Sequence, residues 1–130
     1  MGDFKNNIQK LVSNLDSVDE NYDERNTFAD FIRPLFEEMG WNFQTDVKLE
    51  RYENSAANAF EIDGVTRFYL KEFPLSSSME SLKDEITSTV SYAYNKGVTW
   101  VIATNFKEMR VYNTESTGRT HRQNSQNEQN

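Results

Sequence analysis

Residues Val65 to Ser77 read VTRFYLKEFPLSS, and the architecture of the chain can be worked out from them. Phe68 and Leu70 leave such a segment on one side and Arg67, Tyr69, Lys71 and Phe73 on the other, the period of two expected of a strand. Pro74 has no N–H to give to a sheet ladder, so the strand is expected to stop there. Upstream, Asp63-Gly64 is a hairpin signal that joins it to a preceding strand, NAFEI. A two-residue loop would set Phe60 opposite Arg67. A three-residue loop, Asp63-Gly64-Val65, sets Phe60 opposite Phe68, Ile62 near Thr66 and Glu61 across from Arg67. The second register is preferred because it gathers the apolar groups on one face and pairs opposite charges. Ala57, Ala59 and Glu61 then share the face of Tyr69, Lys71 and Phe73, with Ala57 across from Lys71.

Working outward, Ser77 and Glu80 have capping-box spacing and predict a helix over about 78–95, with Leu82, Ile86, Val90 and Ala93 inward and Gly97 at its end. VTWVIATN and EMRVYN follow as two strands around a short turn near Asn105-Phe106-Lys107. Before the central hairpin, Phe4, Ile8, Leu11, Val12 and Leu15 predict a helix over about 3–17, followed by the acidic connection SVDENYDER. Phe28, Phe31, Ile32, Leu35, Phe36 and Met39 predict a second helix over about 24–39, in which Pro34 should cause a kink or leave a carbonyl unpaired. Gly40 supplies its left-handed cap. WNFQTDVKLE reads as a strand and RYENSAA as a loop. The order is helix, helix, three strands, helix, two strands. That order predicts an α/β (α+β) domain over 1–113, a mixed sheet of about five strands with helices on both faces. Residues 114–130 carry no evident core residue and read as a polar, disordered tail or a linker cut short.

Composition excludes several kinds of chemistry. Cys is absent and the one His, His121, lies in the polar tail, so thiol catalysis, a Ser-His-Asp triad and His- or Cys-based metal sites are not expected. The N-terminal residues lack the cationic and apolar segments of a secretory signal, and no apolar run approaches the ~20 residues of a membrane span; the expectation is a cytoplasmic protein without a membrane partner. The 14 basic residues are interspersed among 21 acidic ones, for a net charge of −7. Phosphate neutralisation drives DNA affinity, so this balance predicts weak DNA binding at best.

YDERNTFADFIRPLFEEMGWNF resembles the opening of the nuclease domain of restriction enzymes that fuse cutting to methylation (type IIG), and the N-terminal domain of type I restriction R subunits. VTRFYLKEFPL is similar to the catalytic strand of that family, and SYAYNKGVTWVIATNFKEMRVYN to its helix and final hairpin. The likeness spans about residues 20–113. It implies the restriction-endonuclease-like core of the PD-(D/E)XK superfamily, where an Asp and a Glu on adjacent strands hold Mg²⁺ and a Lys two residues on stabilises or orients the attacking water. Carried over by position, the Asp falls on Ala57, the Glu on Lys71 and the Lys on Phe73. The family's Gln-x-x-x-Tyr pattern meets Ser88 and Tyr92, and its acidic residue at the start of the second helix meets Glu24.

The expectation is therefore a catalytically degenerate nuclease-like domain without a cofactor, serving assembly or weak DNA contact. A methyltransferase or motor domain C-terminal to the chain is the expected kind of partner. One alternative is an active Mg-dependent DNA endonuclease with a rearranged site drawn from Glu24, Glu61, Asp63 and Glu72. Another is a structural protein-interaction module. Each fallback carboxylate also has a plainer reading: Glu61 pairs with Arg67, Asp63 serves the turn, and Glu72 faces away from Lys71. Lys71 itself either contacts phosphate or fills the vacated metal position, where its charge satisfies Glu61 or Glu24.

Overall fold

The computed structural model describes residues 2–18 and 22–116. Helix α1 (Gly2–Ser13) runs into a tight turn, Asn14–Ser17, and packs on α3 (Arg33–Glu38), where Asn7 Nδ2 donates to Glu38 at 2.8 Å. Asp23 caps α2 (Glu24–Thr27) by accepting from the Asn26 N–H at 2.8 Å, which fixes Glu24 in the first turn. Between α2 and α3 the ladder widens into a π turn, Phe28–Ile32, and Arg33 N–H donates to Phe28 O, five residues back. The widening sits immediately before Pro34, which lacks the N–H to continue an α ladder. The sequence anticipated a disturbance there, and it takes the form of one loose turn.

The sheet has five strands in the order β1 (Val47–Tyr52), β2 (Ser55–Ile62), β3 (Val65–Glu72), β4 (Trp100–Thr104), β5 (Met109–Asn113). Only the β3–β4 pair is parallel, and α4 (Lys83–Asn95) makes the crossover between those strands. The mixed α/β class read from the sequence is the one observed. Alternation along β2 and β3 splits the core in two. Ala57, Ala59, Tyr69 and Phe73 meet Ile86, Val90 and Ala93 of α4 on one face. Phe60 and Leu70 meet Ile32 and Phe36 on the other. There the Phe60 ring lies between those of Phe36, Trp41, Phe43 and Phe68, with centroids 4.6–5.5 Å away.

Several local expectations need correcting. RYENSAA is mostly strand: β1 and β2 form a tight hairpin in which Tyr52 faces Ser55 and Glu53 takes a positive φ of 51°. Trp41 to Asp46, expected as strand, is instead turn, with Asp46 accepting from the Asn42 N–H at 3.1 Å. The central hairpin keeps the expected Phe60–Phe68 pair, yet its loop has two residues, since Ile62 faces Val65. A bulge after Phe60 reconciles the two: Glu61 faces Thr66, and Arg67 is the extra residue. Asp63 (φ 54°) and Gly64 (φ 79°) supply the left-handed pair that such a turn demands.

After β3, Phe73 N–H bonds Thr104 O at 2.9 Å, and Leu75 N–H donates to the Oγ1 of Thr27, which is fully buried. The capping box does not form. Ser77 Oγ donates to Pro74 O at 2.6 Å, and α4 is entered through a 3₁₀ turn, Met79–Leu82, so the helix starts five residues later than its sequence signal. At the other end Thr114 is buried, its hydroxyl donating to Val98 O at 2.7 Å. The polar reading of 117–130 lies outside the described residues.

Candidate functional site

The end of β3, the β1–β2 turn, the first residue of α2 and the first turns of α4 meet around a cavity of about 350 Å³. Glu24, Arg51, Glu53, Ser55, Lys71, Glu72 and Glu85 line it. Lys71 is 4% exposed. Its Nζ donates to Ser55 Oγ and to Ala56 O, both at 2.8 Å, and lies 3.7 Å from Glu85 Oε2. An ammonium held this way is not offered to an outside phosphate.

Glu72 leaves β3 on the side opposite Lys71, as alternation requires, and reaches the same cavity around the end of the strand. Its carboxylate accepts from Asn58 Nδ2 at 3.0 Å. Burial pushes its carboxyl up to about 7, and the Glu24 charge pushes the same way, against weaker relief from its own backbone N–H and then from Lys71 and Asn58. Glu24 is also raised, first by burial and then by Glu85 and Asp23, with Lys71 opposing. Glu72 can therefore exchange a proton near neutrality.

Of the positions taken from the family resemblance, Ala57, Lys71 and Phe73 lie together and buried under α4. A methyl group and a phenyl ring cannot ligate a cation and an ammonium repels one, so this trio does not fit Mg²⁺. Of the fallback carboxylates, Glu24 and Glu72 share the cavity. Glu61 and Asp63 lie elsewhere. Glu61 pairs with Lys48 at 3.6 Å instead of Arg67, because the bulge removes Arg67 from the register. Asp63 is exposed at the hairpin tip. Among the described residues, no group of three or more His, Cys, Asp or Glu side chains is arranged to hold a metal ion.

Sequence reasoning missed Glu85, Arg51, Glu53 and Ser55. Glu85 had a usable signal, since it lies seven residues before Tyr92 and thus on the same helix face. The others were hidden by reading a hairpin as a loop. Tyr92 belongs to a separate polar network: with Tyr69 it donates to Glu50 Oε1, each at 2.7 Å, while it stacks on Tyr52 at 4.3 Å. The Tyr52 and Thr89 hydroxyls are 2.6 Å apart. Burial alone would raise Glu50. The two phenol donors, together with the charges of Lys96 and Lys48, outweigh it and hold the carboxyl below its ordinary value.

No family model matches the chain, and no curated protein or solved structure matches it. Among the described residues, no helix is long and apolar enough to cross a membrane.

Proposed function

We propose that the chain is a catalytically degenerate nuclease-like domain related to DNA restriction-modification. Its role is in assembly or weak DNA contact in the cytoplasm, with a methyltransferase or motor domain as the natural C-terminal neighbour. The observation that carries this reading is the convergence of Ala57, Lys71 and Phe73 on one buried face of β2–β3. Those are the positions where the resemblance requires two metal ligands and a catalytic lysine, and none of the three can do the chemistry. The five-stranded mixed sheet, with helices on both faces and the LKEF segment ending its central strand, is the setting the resemblance implies. A fold alone does not license an activity, so the argument rests on the side chains.

The test is plasmid cleavage with Mg²⁺ or Mn²⁺, run beside an amide NMR titration with the same ions. Intact plasmid and a flat titration are expected. Nicked plasmid together with localised shifts at Glu24, Glu72 or Glu85 would establish the second reading, a metal-dependent endonuclease with a rearranged site. That reading draws on the three carboxylates lining one cavity, against their not being arranged, among the described residues, to hold a metal ion. Salt-sensitive binding to duplex DNA separates weak DNA contact from a purely structural interaction module, which would show none.

A further inference from the structure

We infer that Lys71 is the resident cation of the cavity: its ammonium, tethered by β3, neutralises Glu24, Glu72 and Glu85 and takes the place of a diffusible counter-ion. Three carboxylates come here from three separate elements, Glu24 from α2, Glu72 from β3 and Glu85 from α4, and Glu53 of the β1–β2 turn adds a fourth. The cations facing them are Lys71 and Arg51. A buried charge persists only when paired and hydrogen-bonded. Lys71 meets that condition, with Ser55 Oγ and Ala56 O filling two of its three donor directions and Glu85 lying toward the third.

The same contacts fix the ammonium in position. Ser55 and Ala56 open β2, directly after the turn that carries Glu53, so the strand that pairs with β3 also anchors the cation of β3. Lys71 opposes the upward pressure on both Glu24 and Glu72. Without it the charges of these carboxylates are opposed less, and the pH dependence of folding should steepen. The assignment uses only the residues of the cavity and stands whether or not the nuclease-like reading does.

The experiment is urea unfolding of the full chain and of Lys71→Met, an uncharged replacement of similar length, at about pH 5 and about pH 8. The carbon-detected NMR titration of Glu72 accompanies it. Lys71→Met is expected to lose more stability at the higher pH, enlarging the difference between the two conditions about twofold or more. The Glu72 midpoint should move upward from about 7. Equal losses at both pH values with an unmoved Glu72 midpoint would overturn the assignment, leaving Lys71 as a hydrogen-bonding strut for Ser55 and Ala56. If Lys71→Met does not fold, Lys71→Met/Glu72→Gln is expected to fold where the single variant fails. A double variant as unfolded as the single one overturns the assignment equally. Neither readout involves DNA or metal: nicking of plasmid by the parent chain without cation-induced shifts at Glu24, Glu72 or Glu85 would remove the degenerate-nuclease reading alone, whereas such shifts would place a diffusible cation in the cavity and overturn this assignment as well.

Discussion

Glu50 on β1 and Glu72 on β3 are one strand apart and are treated in opposite ways. Glu50 faces α4 and receives two phenol hydroxyls on one oxygen, which hold its carboxyl below the ordinary range despite burial. Glu72 turns to the other side and faces Glu24, so burial and like charge lift it to about 7 despite relief from its own backbone N–H, Lys71 and the Asn58 amide. Both are partly buried glutamates on strands that flank β2. The depth of burial and the sign of the nearby charges decide which one stays ionised. The same contrast separates a region built for stability from one where charge is crowded at a cost.

The largest expected consequence is the pH dependence of folding. Glu72 titrates at about 7 in the folded chain against 4.5 for the free side chain. A raised carboxyl favours the folded state while protonated, so its contribution is fully present below 4.5 and is lost as pH rises through about 7. At ~1.4 kcal/mol per unit, and with allowance for partial exposure, the loss comes to about 2–3 kcal/mol. Glu72→Gln keeps an acceptor for Asn58 and removes the charge, so its unfolding free energy should stay nearly flat over that window. If the parent chain and Glu72→Gln give parallel pH profiles, Glu72 is not the crowded carboxylate and the contrast with Glu50 fails.

On the Glu50 side, Tyr69→Phe removes one donor and leaves the buried ring in place. A hydrogen bond to a charged group contributes about 1.5–3 kcal/mol, so chemical denaturation should show a loss in that range. Tyr92→Phe should cost less, because that ring is only half-buried and opens toward Lys96. In either variant the NMR midpoint of Glu50 should rise. The sign is opposite to that of Glu72, since a lowered carboxyl stabilises the fold above its ordinary value and loses that stabilisation as pH falls. A Glu50 midpoint unchanged in Tyr69→Phe would mean that the phenol does not hold the charge.

The contrast also marks how far the sequence could be read. Period-two alternation over Phe68, Tyr69, Leu70 and Lys71 and helical spacing over 28–39 placed the sheet, its two faces and the flanking helices, because burial enforces both patterns. The Phe60–Phe68 pair followed from the same logic. The loop did not. A bulge lets a two-residue turn and that pair coexist, and nothing in the local letters distinguishes it from a three-residue loop. For the site, Glu24 and Glu72 were visible as carboxylates near the right strand. Ser55 was not, because its place depends on Glu53 adopting a positive φ, and Glu85 was passed over although its spacing from Tyr92 set it on the same helix face. The Ser77–Glu80 spacing pointed to the wrong helix start because Ser77 is occupied by Pro74 O.

Glu61 gives the smallest effect and the sharpest limit on the contrast. It has the residue type of Glu50 and Glu72 and stands on β2 between them, so residue type and neighbourhood alone would make it a third member. Its partner, however, is Lys48 at 3.6 Å, and the lysine side chain is 69% exposed although that of Glu61 is 11% exposed. A pair with one end this open to water contributes roughly 0–1 kcal/mol, because solvent reaches the ammonium and ordering the lysine costs entropy. Glu61→Gln should therefore shift the denaturation midpoint only slightly, and by less still at high salt. A loss comparable to that of Tyr69→Phe, or a displaced Glu72 midpoint, would instead place Glu61 in electrical contact with the cavity. The Glu24–Glu72–Glu85 cluster would then have to be redrawn to include it.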